Sequence, residues 1–112
     1  MAGTSWDKLG QMDAAFEVVA PAIRRVARSE GARLHEFFNE DPIWRLTLPR
    51  GDDEARVDVI WEETRPEAYR VRALWWAGDQ LHSEEVGDFR REQPLEELEG
   101  LLQEAIRRGR PA

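Results

Sequence analysis

The chain holds two histidines, His35 and His82, and no cysteine. A histidine can act as a general base near neutral pH. Neither of these has a partner acid or nucleophile at a recognisable spacing, so both read as surface or edge-strand residues. They are not spaced as a helical metal pair, and without cysteine there is no zinc ribbon, disulfide framework or thiol nucleophile. Ser5, Ser29 and Ser83 carry no nucleophile signature, and no phosphate loop or dinucleotide glycine fingerprint is present. Asp52-Asp53-Glu54 could hold a hard cation loosely, but its spacing is not that of a calcium loop, and a solvated turn accounts for it. Glu62-Glu63 reads the same way. The expectation is a protein that is not an enzyme, with no catalytic residue, no metal and no cofactor.

Tryptophan and acid supply the more informative patterns. Five tryptophans in 112 residues is an excess. Trp44, Trp61 and Trp75 share one alternating set of positions with Leu46, Leu48, Val57, Val59, Tyr69, Val71 and Ala73, the set expected to face a core. Trp76 falls on the other set, with Ile60 and Leu74. Two successive residues of a strand cannot both face one core unless a bulge intervenes. Ile60, Leu74 and Trp76 are therefore expected to form an apolar patch on the outer sheet face, rimmed by Arg72, Asp58 and Glu62, the anatomy of a binding hot spot. The competing reading has residues 32–42 or the Trp6 segment folding over it. The second pattern is an acidic run of Asp79, Glu84, Glu85, Asp88, Glu92, Glu96, Glu97, Glu99 and Glu104, against which only Arg90 and Arg91 are basic. It reads as a docking surface for a basic partner, with Glu84, Glu85, Glu96 and Glu97 as its contacts, or as a solvated helix face beside a charged edge strand.

These residues need a sheet and helices to position them. A helix is expected over 11–30, with Met12, Phe16, Val19, Ile23 and Val26 as its stripe, kinked or split at Pro21 and ended by Gly31. Residues 32–42 fit a short edge strand with Asn39-Glu40-Asp41-Pro42 as its turn, or a short helix through Leu34, Phe37 and Phe38. Strands follow at 43–48, 56–63 and 68–77, then a two-residue hairpin turn at Gly78-Asp79 and a weaker edge strand at 80–86. On that last strand Leu81 suits the dry face, although Ser83 and Glu85 share its parity. A helix from about Pro94 to Arg108 closes the chain, with Leu95, Leu98, Leu102, Ala105 and Ile106 facing inward. The fold class is α+β: an antiparallel meander of four to five strands, with both helices packed on one face. Residues 1–10 read as a flexible lead-in and 11–112 as a single domain. In element order alone the chain resembles the small α/β domains of secretion chaperones and immunity proteins, and it carries no motif of either.

The net charge of −7 disfavours nucleic-acid binding. No secretory signal or membrane-length apolar run is visible, so a cytoplasmic location without membrane contact is expected. The first functional expectation is a non-catalytic protein-binding module of chaperone, immunity or adaptor type. It would use the outer patch and the acidic C-terminal segment against a basic protein, or the same patch in a homodimer. The alternative is a small-ligand or enzymatic site between the N-terminal helix and the sheet, with Arg45, Arg70 and Arg72 as candidate anion binders. A further alternative is a nucleic-acid mimic.

Overall fold

The computed structural model describes residues 3–38, 42–50, 53–62 and 64–109. The order is α1 (Gly3–Glu30), β1 (Arg33–Phe38), β2 (Pro42–Arg50), β3 (Asp53–Trp61), β4 (Ala68–Ala77), β5 (Gln80–Arg90) and α2 (Leu95–Arg108). The five strands form one antiparallel sheet in the order β1-β2-β3-β4-β5. Helix α1 packs over β1 and β2, α2 packs over β3, β4 and β5, and the two helices touch each other. The α+β class and the meander between two helices are those expected from the alternation. The expected turn residues 39–41 and 51–52 lie outside the described residues, as do the side chains of Trp6, Met12 and Phe16.

Helix α1 begins at Gly3 rather than at 11. Between these positions Gly10 is the weakest helix former, at a cost of about 1 kcal/mol relative to Ala. It is also not split at Pro21: the chain stays helical from Gly3 to Glu30. Val19, Ala20, Ala22 and Ile23, on both sides of the exposed proline, are buried. Their packing outweighs a proline cost of about 3 kcal/mol. Gly31 ends the helix with φ +67°, while Ala32 N–H donates to Ala27 O at 2.9 Å. This is the six-to-one closure of a Schellman cap, for which a left-handed residue is needed.

The inner face of the sheet carries the core. Trp44, Leu46, Val57, Val59, Trp61, Tyr69, Val71 and Ala73 are fully or almost fully buried, and they meet Val19, Ile23, Leu98, Leu102 and Ile106 from the helices. Tyr69 sits between Trp44 and Phe89 at ring-centroid distances of 6.1 and 6.0 Å. Burial raises the Tyr69 phenol above its usual pKa, with Arg91 pulling the other way. The Trp61 indole N–H donates to Pro66 O at 3.0 Å, anchoring the β3–β4 connection.

Strand β5 departs from the expected reading in a way that matters for the surface. It runs to Arg90, and its ladder with β4 steps between Val71↔Gly87 and Arg72↔Glu85. Val86 is the extra residue of a β-bulge, and a bulge flips the parity of everything beyond it. Phe89 and Gly87 therefore face the helices, while Glu85, Ser83 and Leu81 face away. Leu81 is not on the dry face; Phe89 is, fully buried.

Candidate interaction surface

The outer face can be read row by row from the register of the ladders. One row crosses the sheet as Phe37, Ile43, Ile60, Arg70, Asp88. The next runs His35, Arg45, Asp58, Arg72, Glu85, and the third Arg33, Thr47, Arg56, Leu74, Ser83. Beyond it Trp76 stands opposite Leu81, because the two-residue turn at Gly78-Asp79 pairs Ala77 with Gln80 and fixes the next pair. Gly78 has φ +66° and Asp79 does not share that sign, which matches a turn with glycine at its first central position.

Two apolar clusters thus occupy diagonal corners. Phe37, Ile43 and Ile60 lie at one end on β1–β3, and Leu74, Trp76 and Leu81 at the other on β4–β5. Trp76 is 43% exposed, Leu81 52% and Phe37 41%, and these are the exposed large hydrophobic side chains among the described residues. All three stand on this one face, beneath neither helix. The sequence pattern grouped Ile60 with Leu74 and Trp76. The register separates them: Ile60 pairs with Arg70, four residues along β4 from Leu74, about 13 Å at the usual rise per residue. Phe37, Ile43 and Leu81 are the patch residues the pattern missed. The signal for Ile43 was its parity against Trp44 and Leu46, and the signal for Leu81 was the two-residue turn.

Between the corners lies a layer of ion pairs. Arg45 grips Asp58 with Nε–Oδ1 at 2.8 Å and Nη2–Oδ2 at 3.0 Å, and its guanidinium also stands 5.6 Å over the Phe37 ring, within cation–π reach. The hydrogen bond to Asp58 raises the Arg45 pKa still further. Arg72 meets Glu85 at 3.1 Å and Arg70 meets Glu62 at 2.7 Å. Arg33 meets Glu54 at 2.9 Å, and Arg65 reaches Asp88 at 2.9 Å. By alternation and register, Arg33, Arg45, Arg56, Arg70, Arg72 and Arg90 share the face with Glu54, Asp58, Glu62, Glu85 and Asp88. Among the described residues of the face the charges nearly cancel, with a small surplus of arginine, and the −7 of the chain is carried elsewhere.

The acidic segment does not form one surface. Glu84 points to the helix side and bridges to Arg108 at 2.6 Å, while Glu85 points outward to Arg72. Glu99 is tied to Arg25 at 2.8 Å, and Glu104 to Arg107 and Arg108. Glu96 and Glu97 are exposed in the first turn of α2, where acids oppose the helix dipole, and Glu97 accepts a hydrogen bond from Gln93.

The other sequence candidates are also dispersed. His35 lies on β1 and stacks with Phe37, with 6.1 Å between ring centroids. His82 lies on β5, on the helix side, stacked 5.8 Å from the half-buried Trp75. The two histidines thus belong to opposite edge strands. Among the described residues no group of three or more histidines and acids is placed to hold a metal ion, and no helix is long and apolar enough to cross a membrane. A cavity of about 390 Å³ opens between α1 and β1, lined by Arg24, Ala27, Arg28, Ala32 and Leu34. Arg45, Arg70 and Arg72 lie on the opposite face of the sheet and do not line it.

Compared with family models, curated proteins and solved structures, the chain matches none of them.

Proposed function

We propose that this chain is a non-catalytic protein-binding module, of the chaperone, immunity or adaptor kind, whose contact surface is the outer face of the sheet. The observation that carries this reading is the concentration of Phe37, Trp76 and Leu81 on one face while the helices seal the other. Isolated exposed apolar residues are ordinary on a soluble protein, but large ones gathered on one face with charged neighbours mark contact sites. Trp76 supplies a rigid aromatic anchor, and the paired arginines and acids supply a polar rim. The acidic residues Glu84, Glu96 and Glu97 lie off this face, so the sheet surface alone is assigned to contact, and its slight surplus of arginine removes the expected bias toward a basic partner.

The test is affinity capture by the tagged chain and by its Trp76→Ala variant from cells that express the chain. The wild type retains a defined protein, untagged copies of itself included. The variant loses it while remaining folded at the capture temperature. Equal capture by both forms contradicts the assignment, as does unfolding of the variant.

A second reading has one observation in its favour, the cavity between α1 and β1. Its volume is within the range of small-molecule sites, and Arg24 and Arg28 flank an apolar floor of Ala27, Ala32 and Leu34. A melting-temperature shift with small anionic metabolites supports it, and a flat response across such a panel rejects it.

A further inference from the structure

We infer that the occupant of the outer sheet face is a second copy of this chain, packed face to face through the two apolar corners; this rests on the contact surface proposed above. Charge is the first argument. Two copies each carrying −7 repel as whole bodies, so they can associate only through a face that does not add to the repulsion. The outer face nearly cancels, six arginines against five acids, and most of them are already paired within the plane. A face built for a basic partner would instead carry surplus acid.

The pattern within the face is the second argument. Phe37, Ile43 and Ile60 stand at one corner and Leu74, Trp76 and Leu81 at the corner diagonally opposite. A two-fold axis lying between the two faces, at right angles to that diagonal, sets each apolar corner against the other apolar corner of the second copy. Self-complementarity of this sort is what an isologous contact requires.

Size is the third. Five strands about 4.8 Å apart and about nine residues long, at about 3.4 Å each, make a face of roughly 700 Å². That is close to the ~800 Å² that each partner buries in a standard specific interface. A sheet face is also a surface that packs against another sheet with interdigitated side chains, about 10 Å apart.

The experiment is sedimentation of the full chain across micromolar concentrations, beside Leu81→Glu and Phe37→Glu, each checked by far-ultraviolet dichroism and thermal melting. The wild type should sediment at twice its 13.0 kDa mass. Each variant, still folded, should raise the dimer dissociation constant at least roughly tenfold. If a glutamate variant unfolds, Leu81→Ser and Trp76→Ser decide in the same way. A wild type that stays monomeric overturns the inference, and so does a dimer indifferent to substitution at both corners. If the wild type is monomeric and Trp76→Ala still abolishes capture of a different protein, the binding surface stands and only its occupant is wrong. If that capture is also unaffected, both fall.

Discussion

Trp76 and Leu81 face each other across the β4–β5 ladder, and both project from the side of the sheet that no helix covers. Cross-strand apolar pairs of this kind help hold a hairpin together, at about 0.2–1 kcal/mol. Both side chains nevertheless keep about half of their surface in water, so only part of their apolar area is used by the fold. Replacing Trp76 with Ala should therefore cost about 1–2 kcal/mol of unfolding free energy, less than the cost of about 3–5 kcal/mol for a core aromatic, measured by chemical denaturation, while weakening association. A loss as large as that of a core aromatic would place the indole inside the fold.

Phe89 should behave in the opposite way. It is fully buried against Tyr69, and its inward direction depends on the bulge at Val86. Phe89→Ala should cost about 3–5 kcal/mol. A near-neutral result in denaturant titration would mean that β5 does not reach Arg90 as an inward-facing strand.

The bulge also explains which parts of the surface were legible from sequence. Strands β2, β3 and β4 alternate without interruption, so the burial of Trp44, Val59 and Val71 and the outward direction of Arg45, Asp58 and Trp76 follow from parity. In β5, Leu81, Ser83 and Glu85 share their parity with Gly87 and Phe89 yet take the opposite face. No local signal marks Val86 as the extra residue, because a bulge is chosen by the pairing with Val71 and Arg72. The site suffered for a related reason. Parity tells which face a residue takes, but only register tells its neighbours, and register separates Ile60 from Leu74 and joins it to Ile43 and Phe37. The continuity of α1 across Pro21 was likewise hidden, since tertiary packing of Val19 and Ile23 decides it.

The Arg45–Asp58 pair should show a marked asymmetry. Asp58 is 4% exposed and Arg45 about a third exposed. Removing Arg45 leaves a desolvated carboxylate without its partner, so Arg45→Ala should destabilise by about 2–3 kcal/mol, toward the low end for broken buried pairs because Arg45 is partly solvated. Asp58→Asn keeps hydrogen-bonding capacity and removes the buried charge, and should cost less. Denaturant midpoints of the two single variants and the double variant measure this. Equal losses would show that Asp58 is no more desolvated than its partner.

Alkaline pH should expose the burial of Tyr69. Its folded-state pKa is raised by desolvation, so the folded state holds the phenolic proton more tightly than the unfolded chain. Its contribution is complete below the unfolded value of about 10 and is lost as pH rises above it. Melting temperature should fall above that point more steeply for the wild type than for Tyr69→Phe. Parallel curves would show that the phenol is not desolvated.

The absence of cysteine allows the most direct test of how two copies meet. Ser83 is exposed on the outer face of β5, and Gln103 is exposed on α2, on the far side of the sheet. A spin label at a single introduced cysteine, Ser83→Cys in one sample and Gln103→Cys in another, reports the separation between copies by double electron–electron resonance. Face-to-face sheets predict a clear intermolecular distance for both labels, shorter at 83 than at 103. A shorter distance at 103, or no intermolecular coupling at 83 at concentrations where the chain is dimeric, would contradict contact through the face that bears Trp76 and Leu81.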